Sequence, residues 1–99
     1  MKVKIHSIHF DADSKLETFI VKRLDKLDQY FDNIIEGEVF LKLDNADDNQ
    51  NKITEIKLLV PGGDLFVKKQ CKSFEESTDL AVEALRRQVK KYKEKKRQV

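Results

Sequence analysis

Val3 and Ile5 alternate with Lys2 and Lys4 at the start of the chain, the period of a strand with one apolar face. That strand is expected within residues 2–10. The alternation fades beyond His6, and Asp11-Ala12-Asp13-Ser14 offers oxygen acceptors for the free amides that open a helix. Either Asp13 or Ser14 can be the cap, and Ser14 with Glu17 three residues on has the spacing of a capping box. Leu16, Phe19, Ile20, Leu24, Leu27 and Phe31 then recur at three- and four-residue intervals, which predicts an amphipathic helix over residues 14–31. Lys15, Lys22, Arg23 and Lys26 share its outer face with Glu17, Asp25 and Asp28, so charges offset locally and a modest basic patch remains.

Period two returns over residues 38–43, where Val39, Leu41 and Leu43 alternate with Glu38, Phe40 and Lys42. Residues 44–51 are polar except Ala46 and cannot bury apolar area, so an exposed, mobile loop is expected. Thr54, Ile56, Leu58 and Val60 form one face of a third strand, with Ile53, Glu55, Lys57 and Leu59 on the other. Pro61-Gly62-Gly63-Asp64 has the chemistry of a tight reversal, leading into a fourth strand near residues 65–72. Its Lys68, Lys69 and Lys72 are the kind of side chain that keeps an edge strand from pairing with other chains. The last helix opens with a second capping-box spacing, Ser73 to Glu76, and its stripe runs through Phe74, Ala81, Leu85, Val89 and Tyr92. Lys96 then falls on the formerly apolar face, so the helix from about Lys93 onward should project past the sheet or fray.

The order predicts an α+β fold, β-α-β-β-β-α, with a four-stranded sheet and two helices packed on one face. A right-handed crossover would seat the first strand parallel to one of the meander strands. The 99 residues make one domain with one core, in which residues 93–99 form the projecting end.

Charge changes this picture. Residues 1–85 carry twelve Lys and Arg against seventeen Asp and Glu, about −5, while residues 86–99 carry eight against one, about +7. The net +2 conceals a dipolar molecule. Arg86, Lys90, Lys93 and Arg97 line one flank of the last helix and Arg87, Lys91 and Lys95 the other, with Glu94 the only acid among them. A concentrated cationic segment attracts polyanions and displaces their counterions, although a solvated helix end would carry the same residues.

Sites for chemistry are sparse. His6 and His9 lie three apart, so on a strand they point to opposite faces and cannot easily share a metal. Gly37, Gly62 and Gly63 fit no phosphate-binding spacing, and no register of the acidic loop supplies a calcium site. Ser14 and Ser73 are explained as caps, and neither Ser7 nor Ser77 has a neighbourhood that marks a nucleophile. The lone Cys71 excludes an internal disulfide and reads as a small half-buried strand residue. No apolar window is long enough to span a bilayer, and residues 1–6 lack the apolar core of a signal peptide. The expectation is a cytoplasmic, non-enzymatic protein with no cofactor, no metal, no membrane and no small-molecule substrate.

Two stretches carry a resemblance: residues 16–31, ending Lys26-Leu27-Asp28-Gln29-Tyr30-Phe31, and residues 78–93, where Asp79, Leu85, Arg87, Gln88, Tyr92 and Lys93 stand at matching positions. Over nearly its whole length the chain resembles the short form of the hibernation-promoting factor and ribosome-associated inhibitor family of bacterial ribosome-binding proteins. Thr78 replaces a common Ala, and the aromatic residue usual just upstream is absent. The long members append a second domain that pairs ribosomes, and nothing in this sequence corresponds to it.

The resemblance implies a fold akin to double-stranded-RNA-binding domains and a place on the small ribosomal subunit where mRNA and tRNA would bind. Translation stops there by occupation. The expected rRNA contacts are Arg86, Arg87, Lys90, Lys91, Lys93 and Lys95, with Lys22, Arg23 and Lys26 as a second group. DNA is not expected as a partner, and the protein should be monomeric off the ribosome. The acidic remainder, Asp47 and Asp48 included, would discourage indiscriminate RNA binding. Two other readings stay open: a general structured-RNA-binding module, and a protein-interaction domain whose basic tail is merely solvated.

Overall fold

The computed structural model describes residues 1–45 and 49–97, with the backbone alone for Lys96 and Arg97. Asp47, Asp48 and the chain end at residues 98–99 lie outside the described residues. The elements run β1 (Lys2–Ser7), α1 (Ser14–Tyr30), β2 (Glu36–Leu43), β3 (Lys52–Val60), β4 (Gly63–Cys71) and α2 (Phe74–Arg97). The four strands lie in the order β1-β2-β3-β4, with β1 parallel to β2 and the other neighbours antiparallel. This is the expected architecture, with the crossover through α1 seating β1 beside β2.

The boundaries differ in instructive ways. β1 ends at Ser7, short of residue 10, because His9 adopts a left-handed backbone, φ 66°, that an extended strand cannot continue through. The chain then turns so that Phe10 stacks on Phe74 at the start of α2, ring centroids 5.1 Å apart. The cap of α1 is Asp13, whose Oδ1 accepts from the Leu16 amide at 2.8 Å, so the Ser14–Glu17 capping box does not form. The Glu17 amide that the serine hydroxyl would have needed donates instead to the Asp13 carbonyl at 3.1 Å, as the helix starts one residue earlier than a Ser14 cap would allow. At α2 the expected cap is present, with the Glu76 amide donating to Ser73 Oγ at 3.1 Å.

Val60 pairs directly with Gly63, leaving Pro61 and Gly62 as the two central residues of the turn. Gly62 has φ +89°, the value needed at the third position of a type II turn, and Pro61 supplies the fixed φ before it. The Tyr92 hydroxyl donates to the Pro61 carbonyl and ties the turn to α2.

Both helices cover one face of the sheet. Ile20, Leu24 and Leu27 of α1, Val39, Leu41, Ile56 and Leu58 of the sheet, and Ala81, Leu85 and Val89 of α2 are almost fully buried between the layers. Truncating one of the larger of these to Ala typically costs about 2–5 kcal/mol. The opposite face is open and laced with ion pairs, Lys4–Glu36 at 3.2 Å, Lys42–Glu55 at 3.1 Å and Lys57–Asp64 at 3.7 Å. β4 is an edge strand, and exposed Lys68 lies along that edge. The acidic loop is anchored where it leaves and rejoins the sheet: the Asp44 amide donates to the Asn51 carbonyl, and Gln70 donates to Asp44 and Gln50.

Candidate nucleic-acid interface

α1 and α2 run in the same direction, as their cross-links show. Arg23, near the middle of α1, meets Asp79 in the first half of α2, and Tyr30 at the end of α1 meets Arg86 and Lys93 further along α2. Both C-terminal ends therefore lie toward one end of the molecule, where the partial negative charge of each helix favours nearby cations. That is where the basic residues gather. α2 has 24 residues and spans about 36 Å, longer than the nine-residue strands at about 30 Å, so its end overshoots the sheet.

A cleft of about 420 Å³ opens between the last turn of α1 and the middle of α2, lined by Tyr30, Arg86, Arg87, Val89, Lys90 and Lys93. Val89 is the buried floor, and Arg86, Arg87 and Lys90 are exposed. The Arg86 guanidinium lies 5.5 Å from the centre of the Tyr30 ring and donates to Glu83 Oε1 at 2.9 Å. Glu83 and then Tyr30 hold this guanidinium protonated more firmly than usual. Four cations and one aromatic ring thus face one concavity, an arrangement suited to phosphate oxygens and unpaired bases.

The expected contact residues separate into groups. Arg86, Arg87, Lys90 and Lys93 share the cleft, while exposed Lys91 and Lys95 lie on the outer flank of α2. Lys93 is half-buried and donates from Nζ to the Tyr30 carbonyl, 6.0 Å from the Phe31 ring. Packing thus reaches past Tyr92, and α2 remains helical to Arg97. The length of the lysine stem accounts for this: it bridges to α1 from a position outside the apolar stripe.

The second group is divided too. Lys26 is exposed one turn before Tyr30 and continues the basic rim along α1. Lys22 lines a separate hollow of about 340 Å³ with Ser14, Lys15, Thr18 and Phe19. Arg23 faces α2, with Nε 2.7 Å from Asp79 Oδ1 and the guanidinium 4.7 Å from the Phe19 ring centre. Tyr30 is the site residue that sequence reasoning passed over. Its signal was an aromatic residue on the flank of the α1 stripe, facing the basic flank of α2 only once both helices are packed.

His6 lies on the open sheet face, stacked on Phe40 with Nε2 2.9 Å from Glu38, away from the cleft. Among the described residues no three His, Cys, Asp or Glu side chains are grouped to hold a metal ion. No described helix is long and apolar enough to cross a membrane.

Strand order and helix placement define a small α+β domain, β-α-β-β-β-α, with both helices on one face of the sheet. The chain matches the N-terminal domain of Protein Y from Thermus thermophilus with a TM-score of 0.81 at 26% identity, over 93% of this chain and 99% of that one. A ribosomal subunit interface protein from Coxiella burnetii shares the fold, with a TM-score of 0.84 at 19% identity over 94% and 98% of the two chains.

Residues 3–97 match the model of the Sigma 54 modulation protein / S30EA ribosomal protein family, and the chain belongs to that family. Its curated relatives include the ribosome hibernation promoting factor of Pseudomonas putida, 28% identical over 96% of this chain and 89% of that protein. The factor of the same name from Escherichia coli K12 is 26% identical over 99% of both. The ribosome hibernation promotion factor of Bacillus subtilis is 25% identical, and there the match spans 96% of this chain but 50% of the relative. The family resemblance read from residues 16–31 and 78–93 is thereby borne out.

Proposed function

We propose that this protein is a cytoplasmic ribosome hibernation factor that binds the small subunit and stops translation by occupying the mRNA and tRNA decoding region. The observation that carries this reading is the cleft in which Arg86, Arg87, Lys90 and Lys93 face one concavity beside Tyr30. Lys91, Lys95 and Lys26 extend the cationic surface around it. Folded rRNA presents closely spaced phosphates in fixed positions, and a rigid helix bearing cations on two flanks can meet several of them with few base-specific contacts. Family membership and the names of the curated relatives support the ribosome as the partner.

Inhibition then requires no catalysis. The free energy gained from rRNA must be exceeded by mRNA and tRNA before they can take the same place, so the block is competitive and reversible. The protein acts as a monomer before it binds, and its acidic remainder weakens association with indiscriminate RNA.

The test is sedimentation with ribosomal subunits combined with translation in a purified system. The protein should travel with intact small subunits in preference to free duplex RNA, and excess mRNA and initiator tRNA should displace it. Arg87→Glu with Lys90→Glu should abolish both association and arrest. Equal binding to subunits and duplex would replace this reading with a general structured-RNA module. Unchanged arrest by the double variant would remove the cationic cleft from the mechanism.

A further inference from the structure

We propose that the cleft receives one unpaired nucleotide of the bound RNA, its base stacked in the pocket against the Tyr30–Arg86 pair and its phosphate held by Arg87 and Lys90. This rests on the rRNA-binding reading and names what that site selects. Phosphate attraction alone would need only the cations, yet the cleft also contains an aromatic side chain, Tyr30, that is 49% exposed. Its volume of about 420 Å³ lies within the range of pockets that hold small ligands, about 300–1,000 Å³.

The platform is held in place before any ligand arrives. The Tyr30 carbonyl accepts from Lys93, and the next residue, Phe31, is buried with its ring edge-on to Tyr92 at 5.5 Å. Arg86 is held on the other side by Glu83. Little conformational freedom remains to be lost on binding. A base within an A-form duplex has both faces covered by its neighbours and cannot reach an aromatic ring, whereas a bulged or looped base can stack on tyrosine or on a guanidinium plane. The cleft therefore discriminates by pairing state. Exposed Phe66 stands on the open sheet face, outside the cleft that gathers Arg86, Arg87, Lys90 and Lys93.

The experiment uses the full chain and two RNA hairpins whose strands are joined by the same non-nucleotide linker, one fully paired and one carrying a single bulged 2-aminopurine, whose fluorescence is quenched by stacking. The bulged hairpin should bind about tenfold more tightly and be quenched, as expected from the contribution of one base–aromatic stack. Tyr30→Phe and Tyr30→Trp should keep the preference and the quenching. Tyr30→Leu, which preserves apolar bulk without a π face, should lose both while melting like the parent and keeping the same salt dependence, because no charge has changed. Retention of the preference and the quenching in Tyr30→Leu would overturn the proposal while leaving the phosphate reading intact. Failure of the unaltered protein to bind either hairpin or ribosomes would sink both. Free adenosine monophosphate binding as tightly as the bulged hairpin would overturn it in favour of a small-nucleotide ligand.

Discussion

Arg23 Nε stands 2.7 Å from Asp79 Oδ1, joining the middle of α1 to the first turns of α2. The Nε–H is buried and not directed at the carboxylate, so the contact is an ion pair without an aligned hydrogen bond. A cation assigned by periodicity to the outer face of α1 is thus turned against the neighbouring helix. Asp79 offsets its charge and Phe19 lies beneath its guanidinium. Arg23 consequently has less to offer a phosphate than its exposed neighbours Lys22 and Lys26.

The pair is partly exposed, with side-chain accessibilities of 35% and 49%, so solvent screens it. A double-mutant cycle with Arg23→Gln and Asp79→Asn should give a coupling of about 0.5 kcal/mol in urea unfolding. Asp79→Asn alone should tighten RNA binding at low salt by releasing Arg23 and removing an acid. Weaker binding by Asp79→Asn would mean that the carboxylate positions Arg23 productively for RNA.

Cleft cations should differ from Arg23 in their salt response. Each phosphate contact contributes about 0.7–0.9 to the slope of log affinity against log salt. Arg87→Gln and Lys90→Gln should each lower the slope for ribosome binding by about that amount, and Arg23→Gln by distinctly less. Filter-binding titrations across a salt series would measure all three. Equal slopes for the parent and the Arg87 and Lys90 variants would show that those residues touch no phosphate.

Beneath α2 lies a buried chain of hydroxyls. Ser77 Oγ donates to the Phe74 carbonyl at 3.2 Å, Thr54 Oγ1 lies 2.6 Å from Ser77 Oγ, and Thr78 Oγ1 lies 3.4 Å from Thr54. Since the Ser77 proton is committed to the carbonyl, Thr54 donates to Ser77 and accepts from Thr78. Thr54→Val keeps the shape but leaves the Thr78 donor without this acceptor, at a cost of about 1–3 kcal/mol. Thr54→Ser keeps the chain and loses one methyl group, costing about 1 kcal/mol. Urea midpoints should rank parent, Thr54→Ser, Thr54→Val; a Val variant as stable as the parent would show that the network contributes nothing net.

The order of elements was legible in the sequence because residue spacing alone distinguishes strand from helix, and the two-helix layer followed from the single apolar face of each helix. Crossover handedness implied a parallel partner for β1 but left open which meander strand it would be. Val39 with Leu41, and Leu85 with Val89, report their faces without reference to anything distant. What periodicity does not encode is how one element faces another. The Arg23–Asp79 pair, the reach of Lys93 to the Tyr30 carbonyl and the aromatic wall of the cleft all depend on α1 and α2 lying side by side in the same direction. Asp13 displaced Ser14 as the cap for a more local reason: two good acceptors stood in succession, and spacing to Glu17 favoured the one the backbone did not use. The cationic flanks of α2 were evident from residues 86–97, but which of those cations share a concavity required the fold.

Cys71 closes β4 with 6% of its surface exposed, and burial pushes its thiol pKa up, with the Glu76 charge acting in the same direction against a smaller opposing effect of Lys69. Below the ordinary thiol pKa of about 8.5, folded and unfolded chains both carry the proton and the group adds no pH dependence. Above it the unfolded chain releases the proton while the folded one retains it, so the stabilising contribution declines as pH rises toward the folded pKa. Urea unfolding from about pH 7 to about pH 10 should therefore show a loss of stability that is smaller in Cys71→Ala, in which the thiol is gone. Iodoacetamide, which reacts with the thiolate, should label Cys71 slowly in the native protein at about pH 8 and rapidly in urea. Parallel pH profiles for parent and variant, together with equal labelling rates in native and unfolded protein, would show that the thiol is neither shielded nor shifted.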